Sequence, residues 1–248
     1  MRRFKEFLRQ PQYYPGFVGF RGWPGLIGES VRFPVDHDFH EGEAPGHSAM
    51  LEHYQHFDSD DAKHFHKYTK ASRGLNEALH TLGSRKFDYE ADQHMKRNAA
   101  FHAGLSKALK KHTTPHAMHV WSGSWFNPGR VKARTADGKI PIHLHSYTST
   151  SLSRHVGGGH AKGHDEDNGE RHHHYLQIHV PKGSHGGYIQ HLSVHPHEYE
   201  FLLHHGAKLH IDPTPRTEHV EGESRKMWRA KLVHDGVHQP PTIEGTAK

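Results

Sequence analysis

The apolar pattern of this 248-residue chain changes once, near Thr113-Thr114-Pro115. Before this point helix-forming residues predominate, and apolar side chains recur at helical spacing, as at Leu75, Leu79 and Leu82. After it, short apolar stretches divided by Gly and Pro are typical of strands. The predicted strands cover residues 118–121, 142–148, 175–180, 188–192, 198–203, 208–211 and 226–233. The pattern predicts an α+β fold, with a helical part over residues 46–112 and a mainly antiparallel β core over residues 116–235.

The two ends of the chain differ from this predicted folded part. Residues 1–45 include a stretch rich in Gly, Pro and aromatic residues without sustained periodicity, which indicates a flexible arm. Residues 236–248 indicate an irregular tail. The segment from Val156 to Arg171 contains Gly157-Gly158-Gly159, but it matches neither the P-loop nor the dinucleotide-binding fingerprint. We therefore predict a plain loop there.

Composition narrows the classes of function. Cysteine is absent, which excludes disulfides, thiolate metal sites and a cysteine nucleophile. No apolar run is long enough to span a bilayer, and the amino terminus leads into no apolar signal core, so we expect a soluble protein without a membrane partner. The formal net charge of +5 favours an anionic ligand, such as a dinucleotide, a nucleic acid or an acidic protein surface.

Histidine is unusually abundant, with 32 residues, as many as Lys and Arg together. We interpret most of these residues as surface positions where Lys, Asn or Gln would serve equally well. A metal site would be sought at His172-His173-His174 or at the group His155, His160 and His164. Neither has a carboxylate at a recognised metal-binding spacing, so a metal site is the less favoured interpretation.

Two glutamates stand two residues apart in His197-Glu198-Tyr199-Glu200-Phe201. In a strand, Glu198 and Glu200 would lie side by side on one face, where their repulsion would raise the pKa of one carboxyl. Such a pair suits a reaction that must both hold a cation and accept a proton. From the pair alone, an edge strand with a solvated acidic face is the simpler interpretation.

A second element, Tyr147-Thr148-Ser149-Thr150-Ser151, changes that interpretation. In a strand the hydroxyls of Ser149 and Ser151 share one face, and Ser149 can orient a neighbouring carboxylate. With these residues the chain resembles the arginine-type mono-ADP-ribosyltransferases, and most of all the Alt-type enzymes of T-even-like phages. The pattern of that family is an Arg on an early strand, an S-T-S strand and an E-x-E strand.

The resemblance extends over roughly residues 67–233. Tyr68-Thr69, followed by Asn76 and Leu79, resembles the amino-terminal helix of the family. Further segments follow in the family's order: Tyr175 to Gly183, Gly187-Tyr188-Ile189, Ser193, Glu198 to Leu203, and Gly206 to Ile211. The resemblance implies an ADP-ribosyltransferase fold, in which amino-terminal helices precede two packed, mainly antiparallel β-sheets around an NAD cleft.

The resemblance also implies a reaction and its residues. NAD+ would be the substrate, ADP-ribose would pass to arginine of a host protein, and no metal would be needed. Glu200 would stabilise the oxocarbenium-like ribose, Glu198 would orient and deprotonate the acceptor, and Ser149 would orient Glu200. The NAD-binding residues would be Ser122, Gly123, Thr150 and Ser151. The segment from Gln190 to His197 would recognise the acceptor.

One departure from the family pattern concerns Ser122. Where the family commonly has an aromatic residue, Arg and Gly, this chain has Trp121-Ser122-Gly123. A serine cannot supply the bidentate positive group with which that arginine holds the dinucleotide. The candidates for a replacement cation are Arg130, Arg134 and Arg154.

The amino terminus suggests a biological setting. Residues 1–8 resemble the openings of T-even-type phage proteins, and Leu26-Ile27-Gly28-Glu29-Ser30 resembles sites cut by phage prohead proteases. We hypothesise a propeptide of residues 1–29 on a virion-packaged enzyme that enters the host cytoplasm and modifies host proteins such as RNA polymerase. Two alternatives stay open: a catalytically weak or inactive relative that serves as a virion or nucleic-acid-binding protein, and a histidine-based metal protein.

Overall fold

The computed structural model describes residues 46–83, 88–123, 142–161, 164–167, 169–212, 214–220 and 223–237. The predicted arm, the hypothesised cleavage position after Glu29 and residues 238–248 of the predicted tail lie outside this described part. Within it, helices precede strands in the chain, as the change of apolar pattern predicts. The α+β class is therefore confirmed.

The described part of the amino-terminal half contains four helices: α1 (His47–Tyr54), α2 (Ser59–Gly83), α3 (Tyr89–Arg97) and α4 (Ala99–Lys111). Asp58 caps the amino terminus of α2: its carboxylate accepts hydrogen bonds from the backbone N–H groups of Asp60 (3.1 Å) and Asp61 (2.8 Å). The long helix α2 is kinked at Ala71, whose φ is −145° and ψ 36°. None of the described helices combines the length and the apolar character that crossing a membrane requires.

The carboxy-terminal half contains ten described strands and one short helix. The strands are β1 (Met118–Gly123), β2 (Ile142–Leu144), β3 (Thr148–Ser151), β4 (His164–Asp167), β5 (Glu170–Val180), β6 (Gly186–Tyr188), β7 (Glu200–Leu203), β8 (Ala207–Ile211), β9 (Arg216–Val220) and β10 (Glu223–Asp235). The short helix α5 (Arg154–Gly159) follows β3.

The strands pair in the order β2-β8-β10-β5-β1-β3-β7-β6, with β4 added to β5 and β9 added to β10. All of these pairs are antiparallel except β5 with β10. The two sheets expected from the resemblance are thus joined into one hydrogen-bonded sheet. Their junction is narrow, because β1 and β3 meet at a single pair of Cα partners, Trp121 and Ser151.

Two apolar clusters hold the halves together. One packs α2 and α4 against the β3–β7 side of the sheet; its members include Phe65, Tyr68, Leu75, Phe101, Leu105, Leu109, Tyr147, Ile189 and Leu202. The other lies on the opposite face of the sheet and includes Val120, Ile178, Phe201, Leu203 and Trp228. Of the helical positions named from the sequence, Leu75 is buried, whereas Leu79 and Leu82 are half-buried. The helical half therefore covers the strands that carry the Ser149 and Glu200 motifs.

The structure corrects two predictions of local structure. The segment 156–171, predicted as a loop, contains most of α5, all of β4 and the first two residues of β5. Ser153 is the N-cap of α5, since its hydroxyl accepts a hydrogen bond from the N–H of Val156 at 3.4 Å. The strand predicted over 188–192 ends at Tyr188, and a 3₁₀ turn, Gln190–Leu192, follows.

Candidate active site

Glu200 is the first residue of β7 and lies opposite Ser151 of β3. It is buried, with 6% of its surface exposed. Burial raises the pKa of the Glu200 carboxyl from 4.5 to about 7; a hydrogen bond from Ser149 opposes this shift and the charge of Glu198 adds to it. The sequence predicted a raised pKa from repulsion between the two carboxylates; the main cause is burial instead, and the charge of Glu198 adds only to a smaller extent. At neutral pH Glu200 can therefore exist either as an anion or as a neutral acid.

A chain of hydrogen bonds connects Glu200 to helix α2. The Ser149 hydroxyl, which bonds to Glu200, lies 3.2 Å from the Tyr68 hydroxyl, and the Asn76 amide donates to Tyr68 at 2.9 Å. Burial and, to a lesser extent, the charge of Glu200 raise the pKa of Tyr68. Tyr68 therefore stays protonated. When Glu200 is ionised, the Ser149 hydroxyl donates to it, and Tyr68 is then the donor to Ser149.

Periodicity alone assigned no role in the site to Tyr68 or Asn76. The resemblance placed both on the amino-terminal helix, and the structure brings that helix against β3. The contact joins residues 81 positions apart in the chain, so no local pattern reveals it. The available signal was the Tyr-Thr pair followed by Asn-x-x-Leu.

Glu198 lies in a turn, which corrects the prediction of a strand over residues 198–203. It is the last residue of the 3₁₀ turn Pro196–Glu198, and Tyr199 then adopts a left-handed conformation (φ 49°, ψ 46°) before β7 begins. Pro196 favours the turn because its ring fixes φ near the helical value. Glu198 is therefore not beside Glu200 on a strand face; its side chain, 25% exposed, lies nearer to solvent.

Neighbouring elements fix the backbone around Glu198. The Ser151 hydroxyl donates to the Glu198 carbonyl at 2.6 Å, and the Leu152 N–H donates to the Tyr199 carbonyl at 3.1 Å. On the side chain, His160 Nε2 lies 3.7 Å from Glu198 Oε1. The two glutamates thus have different surroundings: Glu200 is buried, and Glu198 is partly exposed at the rim of the site.

Helix α2 also holds the loop that precedes Glu198. The ring of His66 donates from Nδ1 to the Leu192 carbonyl at 2.8 Å, and the Val194 N–H donates to the Thr69 hydroxyl at 3.3 Å. Tyr68, between these two residues, contacts Ser149. One segment of α2 therefore positions both the loop and the serine that bonds to Glu200.

Ser122 and Gly123 end strand β1 beside the narrow junction with β3. The Ser122 hydroxyl donates to the Ser149 carbonyl at 3.1 Å and is directed at protein rather than at solvent. At Gly123 a side chain would not fit, because a Cβ atom there would lie 2.2 Å from the backbone of His160. The Ser122 hydroxyl thus connects β1 to β3 at the point where the backbone pairing of these two strands ends.

The two remaining predicted binding residues, Thr150 and Ser151, lie on opposite faces of β3. Ser151 shares the face of Ser149, as alternation predicts, and fixes the turn at Glu198. Thr150 faces the other way, is 4% exposed, and donates to the Phe201 carbonyl at 2.6 Å. The Thr150 hydroxyl therefore supports the β3–β7 pair.

The sequence named three arginines as candidates for the cation that Ser122 does not supply. Arg130 and Arg134 lie outside the described residues. Arg154, on α5, forms an ion pair with Glu218 and donates to the Tyr175 hydroxyl at 3.4 Å. Arg154 is thus held on the α5 side of the sheet, next to the end of β1 that carries Ser122 and Gly123.

The chain matches the model of a family described as ADP-ribosyltransferase exoenzyme over residues 44–235. No curated protein sequence matches the chain.

Several solved structures are similar in fold. Plx2a, an ADP-ribosyltransferase toxin from Paenibacillus larvae, has a TM-score of 0.56 at 17% identity, over 75% of this chain and 94% of that one. The C3 exoenzyme of Clostridium limosum has a TM-score of 0.53 at 16% identity, over 75% and 91%. Vis toxin from Vibrio splendidus, also an ADP-ribosyltransferase, has a TM-score of 0.53 at 14% identity, over 77% and 82%.

Proposed function

Because this chain belongs to the ADP-ribosyltransferase exoenzyme family, whose reaction uses NAD+ as a substrate, we propose that it transfers ADP-ribose from NAD+ to an arginine side chain of a host protein. One observation supports the different roles that we assign to Glu200 and Glu198. Glu200 is buried at the end of the Ser149–Tyr68–Asn76 hydrogen-bond chain, while Glu198, two residues before it, stands at the rim.

The first step breaks the bond between nicotinamide and ribose. The bonding electrons leave with the nicotinamide nitrogen, and positive charge develops on the ribose carbon and ring oxygen. The Glu200 anion stabilises that charge, because it is buried where water screens it weakly. Ser149 fixes the Glu200 carboxylate, so little rearrangement is needed during the reaction.

The second step forms the new bond to the acceptor. A protonated guanidinium is a poor nucleophile, and a carboxylate accepts two of its N–H groups in a bidentate arrangement. Glu198, partly exposed at the rim, is placed to receive the guanidinium from solvent and to take one proton as its nitrogen attacks the ribose carbon. Arginine is the acceptor that this carboxylate favours.

The NAD+-binding residues remain proposals. Ser122, Gly123 and Ser151 surround the junction of β1 and β3, next to Ser149. The dinucleotide pyrophosphate requires positive charge, and Arg154 on the neighbouring α5 is the described candidate that the sequence named.

The second candidate function is a catalytically weak or inactive transferase-like protein that binds a virion component or nucleic acid. Ser122 favours it, because its hydroxyl bonds to the Ser149 carbonyl and provides no cation. Nucleic-acid affinity that falls steeply with salt, together with no release of nicotinamide from NAD+, would support this candidate.

The acceptor protein and its host are proposed on sequence resemblance alone. The phage-like opening and the hypothesised cleavage site lie outside the described residues. We retain a phage virion, the host cytoplasm and RNA polymerase as the proposed setting and partner. Labelling of purified bacterial RNA polymerase supports this partner, and labelling confined to other host proteins contradicts it.

Mapping of the modified residue tests the proposed function. The protein is incubated with labelled NAD+ and bacterial lysate, and mass spectrometry locates the ADP-ribose on digested peptides. We expect the adducts on arginine. Adducts found solely on other residue types would contradict the arginine acceptor, and no adduct at all would contradict transfer to protein.

A further inference from the structure

Three side chains of the turn before Glu200 bring metal-binding atoms together. His195, His197 and Glu198 each present one ligand atom, and these three atoms lie within 4.8 Å of one another. Both histidines are exposed and Glu198 is partly exposed, so an ion has access from solvent. This cluster differs from the two histidine groups that the sequence singled out.

The backbone under this cluster is held in place. Pro196 is the first residue of the 3₁₀ turn, and the Ser151 hydroxyl fixes the Glu198 carbonyl. Thr69 accepts the N–H of Val194, next to His195. Because the backbone is fixed, ligand binding requires small rotations of exposed side chains and no refolding of the loop.

Two imidazoles and one carboxylate are a ligand set of zinc sites that keep their fourth position for water. In a tetrahedral zinc site with ligands about 2.0–2.2 Å from the ion, neighbouring ligand atoms lie about 3.4 Å apart. The three atoms lie within 4.8 Å of one another, so rotations of the exposed side chains can bring them to this spacing. His160 Nε2, 3.7 Å from Glu198 Oε1, places a further imidazole at the edge of the same site.

We propose that His195, His197 and Glu198 bind Zn2+, or a similar divalent transition metal, and that the bound ion inhibits transfer. The inhibition rests on the proposed function, because the ion would occupy the carboxylate assigned to the acceptor guanidinium. Glu200 is buried and remains available to ribose. Bound metal therefore separates the two activities: transfer to arginine falls, and hydrolysis of NAD+ by water continues.

Metal binding is tested without reference to activity. Co2+ is titrated into the EDTA-treated full chain and followed by its visible absorption, and Zn2+ is then added to displace it. His195→Gln and His197→Gln should each weaken the affinity by about tenfold or more. The matched control is His143→Gln, an exposed histidine on β2, at the other end of the strand order from β7. It should bind as the unmodified chain does.

Equal Co2+ affinity in all four proteins would overturn the site. Both substituted histidines are exposed, so circular dichroism should show that the variants stay folded. The inhibition has its own test, in which transfer to agmatine and release of nicotinamide without acceptor are measured with and without Zn2+. Loss of transfer alone supports the inhibition. Equal loss of both activities, or of neither, overturns it, and the Co2+ titration still decides the site if the chain transfers nothing.

Discussion

The Tyr68 hydroxyl of helix α2 lies 3.2 Å from the Ser149 hydroxyl of strand β3. This contact connects the helical half of the chain to the serine that bonds to Glu200. The same helix holds the loop before Glu198 through His66 and Thr69. The relative placement of the two glutamates therefore depends on α2.

Tyr68→Phe should lower kcat for nicotinamide release by roughly tenfold, because Ser149 loses the donor that fixes its hydroxyl. Phe keeps the ring in the core but leaves Asn76 without its acceptor, which costs about 1–2 kcal/mol of stability. Kinetics with NAD+ and urea unfolding measure the two effects.

Tyr54→Phe is the matched control for Tyr68→Phe. Tyr54 is equally buried, but its hydroxyl has no hydrogen-bond partner within the described part of the chain. Removing that hydroxyl should leave kcat unchanged and the free energy of unfolding unchanged or higher. Equal kcat values for the two variants would show that the Tyr68–Ser149 contact has no part in catalysis.

The activity should depend on pH through Glu200. Its carboxyl has a pKa of about 7, and the ionised form is the one that stabilises a cation. We expect kcat/KM for NAD+ hydrolysis to rise with pH and to reach half its plateau near pH 7. A kcat/KM that is constant between pH 5.5 and 8.5 would contradict this role.

The raised pKa of the Glu200 carboxyl also predicts how Glu200→Gln changes the stability of the fold. The folded pKa of about 7 exceeds the usual 4.5, so the folded state binds the proton more tightly than the unfolded state. The stability due to this group is present below pH 4.5 and is lost as pH rises to about 7, a loss of about 3 kcal/mol. At pH 8 Glu200→Gln should unfold at a higher temperature than the unmodified chain.

His204, which is buried, and His205, which is half-buried, should make the fold sensitive to acid. Burial lowers the pKa of His204 to about 4 and that of His205 to about 3. Both pKa values lie below the usual 6.5, so the stabilisation is present above pH 6.5 and is lost as pH falls through the folded values. The melting temperature should fall between pH 6.5 and pH 4.

His205→Phe tests the origin of this acid sensitivity. Phe preserves ring contacts such as the one with Tyr147 but cannot acquire charge, so the melting temperature should depend less on pH. His56→Phe, at an exposed position, should keep the full pH dependence. The same pH dependence in both variants would exclude His205 as a cause.

Two adjacent glycines of α5 should respond oppositely to alanine. A Cβ atom at Gly157 would lie 2.5–2.6 Å from Trp121 of β1, including its backbone, whereas one at Gly158 would have its nearest neighbour, the end of Arg225, at 3.5 Å. Gly157→Ala should therefore destabilise the protein by about 2 kcal/mol or more. Gly158→Ala should be neutral or stabilising by up to about 1 kcal/mol. Urea unfolding of both variants measures the difference, and similar values would contradict the close packing of α5 on β1.

The sequence predicted those features of the fold and site that depend on local pattern. The helical spacing of Leu75, Leu79 and Leu82 matches their position on α2, and alternation placed Ser149 and Ser151 on one face. Glu198 was misplaced because strand alternation assumes an extended backbone, and Tyr199 is left-handed.

Other features depended on contacts that the sequence does not display. Gly157-Gly158-Gly159 was predicted as a loop because glycine disfavours helices, but packing on β1 stabilises α5 there. The Ser153 cap was the local signal for that helix. The contact between Tyr68 and Ser149 joins distant segments, and only the folded chain reveals it.

The central claim is that Glu200 is required for breaking the nicotinamide–ribose bond and Glu198 for joining the ribose to arginine. Parallel assays of nicotinamide release and ADP-ribosyl transfer to agmatine test it in the unmodified chain, Glu198→Gln and Glu200→Gln. We predict that Glu200→Gln loses both activities by at least about a hundredfold, whereas Glu198→Gln loses transfer and retains nicotinamide release. Nicotinamide release by Glu200→Gln at the rate of the unmodified chain, or full transfer by Glu198→Gln, would contradict the claim.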